Sequence, residues 1–178
     1  MIISSGTYQS KGAVLNMRGM VDERELRCLR RCVELAAEAL EAGDEPFGSV
    51  LVDGDGVVRR EDRNRVAGGD RTQHPEFALA RWSASNMTPE ERAKATVYTS
   101  GEHCPMCAAA HAWVGLGRIV YVASSAQLAS WLDELGVPRP PVRMLPVQEV
   151  APDVVVEGPV PGLDEQVRAL HRRFHGAD

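Results

Sequence analysis

The sequence has no apolar run with the length or flanks of a signal peptide, and none near the roughly 20 residues of a membrane-spanning helix. A cytoplasmic protein with no membrane partner is therefore expected. Basic character is also scarce: 20 Lys and Arg stand against 25 Asp and Glu, for a net charge of −5. Affinity for a polyanion comes from Lys and Arg clusters that displace counterions, so a nucleic-acid partner is disfavoured. The one dense basic spot, His171-Arg172-Arg173, falls in a helix-like tail and reads as a solvated face. A small, roughly neutral ligand suits this composition better. Internal repeats, low-complexity stretches and a convincing interdomain linker are all missing. At 178 residues, 44% of them hydrophobic and 25% charged, the chain suits one globular domain with a real core.

Cysteine is sparse too, with four residues in two spacings. Cys28 and Cys32 are four apart inside a helical pattern and read as reduced core residues. A disulfide scaffold is not expected in an intracellular chain of this size. Cys104 and Cys107 are different. They flank Pro105-Met106, and a proline one residue after Cys104 suits the first position of a helix.

Residues 1–20 show no periodicity and read as an N-terminal arm; the domain is expected over 21–178. Asp22 to Glu25 has the form of a capping box, and Leu26, Leu29, Val33, Ala36 and Leu40 recur at helical spacing up to Gly43. Phe47 to Asp53 and Val57 to Asn64 read as hairpin strands joined by Gly54-Asp55-Gly56. A helix is expected from Pro75 to about Asn86, then a short turn capped by Thr88. A third strand over residues 96–99 leads into a helix from Pro105 to about Gly115. A fourth strand, Arg118 to Ala123, precedes a helix from Ser125 to Leu135. An irregular stretch is expected to Pro152, then a fifth strand over Asp153–Glu157 and a last helix over Leu163–Phe174. This order predicts a layered α/β domain with a five-stranded mixed sheet, strands 4 and 5 running parallel across a helical crossover.

Two cysteines three apart lie on one helix face and can reach a single ion. His74, just ahead of Pro75, adds a third ligand from the start of another helix. Three protein ligands leave a fourth tetrahedral position for water, whose pKa zinc lowers from about 15.7 to about 7. Glu76, two residues after the histidine, is placed to take a proton from that water and hand it on. The competing reading is a closed structural zinc site. That needs four protein ligands, and the chain has no second Cys-x-x-Cys pair, which leaves only His103 or His111 to complete it.

His74-x-Glu76 with Cys104-x-x-Cys107 resembles the signature of the cytidine deaminase-like zinc deaminases. The likeness runs over roughly residues 22 to 174, in element order as well as motif. Within that superfamily the chain is most similar to guanine deaminases and the bacterial tRNA adenosine deaminases. Pro46-Phe47-Gly48, Asn64, Asp70-x-Thr72, Cys104-Pro105-Met106-Cys107 and Trp113 carry that similarity. The resemblance implies a three-layer α-β-α sandwich, a bound Zn2+ and deamination of a free heterocyclic base: a guanine-like purine, or an amino-pyrimidine or triazine. It gives Glu76 the proton-transfer role, with Asp133 (or Glu134) as a second acid assisting ammonia release. Phe47, Asn64 and Trp113 would contact the base. It also implies a homodimer in which Phe174 and His175 at the C-terminal tail close over the partner's site. One departure stands out: the family has proline before the first cysteine, where this chain has His103. Its imidazole fills a loop position, lines the substrate pocket or competes as a ligand. A tRNA adenosine deaminase and a non-enzymatic zinc-stabilised module are the alternative functions.

Overall fold

A computed structural model of the protein describes residues 21–177; the expected arm, residues 1–20, lies outside them. Helix α1 (Glu23–Glu41) starts at the capping box read from the sequence: Asp22 accepts from the backbone of Arg24 and Glu25, and the Glu25 side chain accepts from the Asp22 backbone. Strands β1 (Gly48–Val52) and β2 (Val58–Arg63) form the hairpin, closed by Gly56 at φ +77°, which a residue with a Cβ adopts only at a cost. Then follow α2 (Pro75–Asn86), α3 (Pro89–Lys94), β3 (Thr96–Gly101), α4 (Pro105–Trp113), β4 (Arg118–Ala123), α5 (Ser125–Glu134), α6 (Val147–Val150), β5 (Val156–Glu157) and α7 (Asp164–Phe174).

The five strands form one mixed sheet in the order β2-β1-β3-β4-β5. β1 is antiparallel to both neighbours, while β3, β4 and β5 run parallel. The parallel pairing of the fourth and fifth strands agrees with the sequence reading. β5 is shorter than expected. Residues 152–154 are taken up by the turn out of α6, where the Val154 N–H donates to Ala151 O; Val156 and Glu157 pair with β4, and the Val155 carbonyl accepts from the Ile119 N–H. α6 itself falls in the stretch expected to be irregular.

Helices cover both faces of the sheet, which makes the three layers. On one face α1 lays Leu29, Cys32, Val33 and Ala36 over Val50, Tyr98 and Val120, joined by Trp131 of α5 and by Val167 and Leu170 of α7. Each large aliphatic side chain buried there contributes about 1.5–3 kcal/mol. Close contact of α1 with β1 depends on Gly48, where a Cβ would come within 2.4 Å of Leu35 Cβ. On the other face Leu79 and Ala80 of α2 and Leu116, just after α4, are buried against Leu51 and Val97, while Ala108 of α4 meets Val147 of α6 and its C-cap Ala151. All four cysteines are free thiols, and Cys32 is fully buried as expected.

Candidate metal centre

Two helices begin in the same way beyond the carboxyl end of β3, the middle strand of the sheet. His74 is the N-cap of α2 and Cys104 the N-cap of α4; each has extended backbone and is followed by proline at the first helical position. Proline costs nothing there, because the N–H it lacks would be unpaired anyway. N-caps are ordinarily Ser, Thr, Asp or Asn side chains that bind the helix's own backbone. Neither His74 nor Cys104 makes such a bond, so both side chains are free to turn toward each other. Cys107, one turn into α4, is fully buried.

The three donor atoms form a near-equilateral triangle. His74 Nδ1 is 3.6 Å from each sulfur, and the two sulfurs are 3.5 Å apart. Bonds of about 2.3 Å to sulfur and 2.0–2.1 Å to nitrogen place the ligand atoms of a tetrahedral zinc roughly 3.5–3.8 Å from one another. The triangle fits zinc and leaves one vertex open. No other described group of three or more His, Cys, Asp or Glu residues could hold a metal ion in this way. Its electrostatics suit a soft cation. The hydrogen bond from Cys107, helped by His74, brings the Cys104 thiol down to about 4, while the same shared proton and burial push Cys107 up. The Cys104 bond raises His74 to about 9 against its burial.

Glu76 sits beside this triangle and is 6% exposed. Its Oε2 lies 3.7 Å from Cys107 Sγ. Ser49 donates to Oε1 at 3.2 Å, and Thr99 Oγ1 lies 2.9 Å from the same oxygen. Ser49 and Thr99 face each other across the β1–β3 ladder, so the register fixes the carboxylate. Burial raises the Glu76 pKa, and the charge of His74 opposes the rise. The sequence reading missed Ser49 and Thr99. Ser49 had a signal, as the one hydroxyl in the otherwise apolar β1, whereas Thr99 stands among Thr96, Tyr98 and Ser100 in β3 and had none.

Phe47 and Asn64 flank the start of the same hairpin, joined by the bond from Asn64 N–H to Phe47 O. The Phe47 ring lies over Gly101, where a Cβ would meet it at 3.0 Å. Asn64 is fully buried; its Oδ1 accepts from the Val66 N–H, and its Nδ2 has no partner. An unpartnered buried amide donor is costly in a folded chain and marks a position for a hydrogen-bond acceptor. Asp70 accepts from Thr72 and Gln73, which orders the loop ahead of His74.

Other expected site residues lie elsewhere. Asp133 is exposed and pairs with Arg139. α5 starts beside the Cys104 loop, where the Ser125 N–H donates to Glu102, and its ninth residue is about 12 Å along the helix from that start. Glu134 likewise pairs with Arg168 of α7. Trp113 ends α4 with 89% of its surface exposed, and lines a shallow groove of about 340 Å³ with Ala109, Ala112 and residues 150–154. It lies more than two turns from Cys104. His103 is sealed at 1% exposure, its ring edge-on to His111 at 5.3 Å and both its nitrogens unpartnered. That ring occupies the interior of the α4 layer. Phe174 and His175 pack edge to face at 5.0 Å at the end of α7. His171, read as part of a solvated basic face, is instead 3% exposed and edge-on to Phe47 at 5.1 Å. Its spacing from Val167 puts it on the apolar stripe of α7, a signal that the neighbouring arginines masked.

Comparison with known proteins agrees with this geometry. Residues 22–123, more than half of the chain, match the cytidine and deoxycytidylate deaminase zinc-binding region. A probable cytosine deaminase of Schizosaccharomyces pombe is 33% identical over 116 residues, covering 65% of this chain and 70% of its own length. The guanine deaminase of Bacillus subtilis is 31% identical over 102 residues, covering 57% of this chain and 65% of its own length. In fold, guanine deaminase from Nitrosomonas europaea superposes with a TM-score of 0.63 at 19% identity, over 89% of this chain and 87% of that one. The mixed sheet, its flanking helices and the His-Cys-Cys triangle are the features this family shares, and the chain belongs to the cytidine and deoxycytidylate deaminase family of zinc-binding domains.

Proposed function

We propose that the protein is a hydrolytic deaminase of a free heterocyclic base, with guanine-like purines as the leading substrate class and amino-pyrimidines or triazines next. The observation that carries this reading is Glu76: a buried carboxylate against the ligand triangle, fixed by Ser49 and Thr99 and left out of the ligand set. His74, Cys104 and Cys107 hold the zinc. When bound there, zinc supplies a water acidic enough to ionise near neutral pH. Glu76 takes one proton of the attacking water and delivers it to a ring nitrogen, then carries the second, from the hydroxyl now on the ring carbon, to the amine, which leaves as ammonia. A carbonyl replaces the amino group on the base. Asn64 Nδ2 offers the donor that a ring carbonyl or aza nitrogen needs, and Phe47 offers an apolar face to the flat ring. These contacts suit a planar polar heterocycle. Residues 21–178 form the catalytic unit in this reading. The protein acts as a homodimer whose Phe174 and His175 tails approach the partner's site, in a cytoplasm that keeps its thiols reduced. Among the described residues no helix is long and apolar enough to cross a membrane.

The test is ammonia release from a panel of purines, pyrimidines, triazines and nucleosides, with an anticodon stem-loop included. Wild type is expected to deaminate a free base. Glu76→Ala is expected to keep one zinc per chain and lose about 10²–10⁴-fold in rate. Full activity in that variant would overturn the role of Glu76. Inosine formation in the stem-loop, with no reaction on any free base, would move the assignment to a tRNA adenosine deaminase.

A further inference from the structure

Glu102, two residues before Cys104, makes more connections than a loop residue needs. Its backbone N–H donates to Ala123 O at the end of β4, at 2.8 Å. One carboxylate oxygen accepts from the Ser125 N–H at 2.8 Å, the other from the Val147 N–H at 2.9 Å. Ser125 and Val147 are the first residues of α5 and α6, so one carboxylate spans the N-terminal ends of two helices. Carboxylates are favoured at such ends, where backbone N–H groups are unpaired.

Helix α5 does not need this bond to begin. It has a complete capping box of its own, in which the Ser124 side chain accepts from Gln127 N and the Gln127 side chain accepts from the Ser124 backbone. α6 does need it, since its N-cap is Pro146, which makes no side-chain cap. α6 then presses Val147 and Ala151 against Ala108 of α4. A closed circuit results: Glu102 holds α6, α6 backs α4, and α4 carries both sulfurs.

We propose that Glu102 is a positioning residue, its carboxylate locking the thiolate loop to α5 and α6 and so holding Cys104 and Cys107 at the spacing zinc requires. This rests on the reading of His74, Cys104 and Cys107 as the zinc ligands. The experiment is zinc release from the loaded full-length protein to a chromophoric chelator, followed alongside thermal melting. Glu102→Ala is expected to release zinc about tenfold faster or more, within the range that supporting residues of metal sites command. Glu102→Gln, which retains an acceptor for one N–H only, is expected to fall between. Ser124→Ala, which strips the α5 cap without touching the loop, is expected to lower the melting temperature and release zinc at the wild-type rate.

Wild-type release from Glu102→Ala, or equal acceleration in Ser124→Ala, would overturn the proposal. If Glu102→Ala does not fold, Glu102→Gln decides it by the same criterion. Cys104→Ala separates the two readings: zinc bound as tightly there as in wild type defeats the ligand assignment, whatever Glu102 does.

Discussion

At the residue scale, the site joins an obvious part to a hidden one. His74, Glu76, Cys104 and Cys107 were legible because their chemistry and their spacing are local: two short motifs, each next to a proline that starts a helix. Ser49 and Thr99 were not, because a hydroxyl inside a strand acquires meaning only when the β1–β3 register sets both against Glu76. Thr99 is the sharper probe. Thr99→Val keeps the shape and removes a hydroxyl 2.9 Å from the carboxylate. A hydrogen bond to a charged group contributes about 1.5–3 kcal/mol, so kcat is expected to fall about tenfold or more with zinc content unchanged. Steady-state kinetics with metal analysis checks this; an unaltered kcat would leave Glu76 held by Ser49 alone. Asp133 was named from the family resemblance alone, and in the fold its exposed carboxylate pairs with Arg139.

At the element scale, α7 is the helix whose reading changed most. Its buried stripe of Val167, Leu170 and His171 faces α1, Phe47 and Trp131. His171 is pushed down to about 3, chiefly by burial and then by the neighbouring His175. The folded chain therefore refuses a proton that the unfolded chain accepts near pH 6.5. Stability from this group is intact above pH 6.5 and is lost as pH falls from there toward about 3. The loss is on the order of 2 kcal/mol by pH 4.5. Denaturant melts at pH 7 and pH 4.5 should show a smaller acid loss in His171→Leu than in wild type; equal losses would remove His171 as a source. The helix starts at Pro75 and Pro105 and the capping box of α1 were readable from sequence, because caps are local. The four residues of α6 were not, because the carboxylate that caps them comes from Glu102, more than forty residues earlier.

At the scale of the whole molecule, the five-stranded mixed sheet followed from the alternation of elements. The place of β1 between β2 and β3 did not, because the long apolar stripe of α1 selects it by covering both β1 and β3. The cysteine pair then lies where β3 hands over to α4, beyond the carboxyl end of a parallel strand, the usual place for a ligand in a sheet of this kind. The proposed homodimer is tested at this scale. Sedimentation equilibrium is expected to give twice the 19.4 kDa chain mass, and Phe174→Ala is expected to raise KM more than it lowers kcat. A fully active monomer would refute the idea that a partner's tail completes the site.

The repeated start of α2 and α4 bears on which length changes the scaffold tolerates. Both donors precede a proline at the first helical position, so each is located by where its helix begins and not by where it ends. A turn added after Asn86 or Trp113 extends a helix away from the donors and leaves the triangle as it is. A single residue inserted between Pro105 and Cys107 swings that sulfur by about 100° around the helix axis and takes it off the triangle. The family signature is thus rigid over a few residues and permissive over the many that separate its two halves.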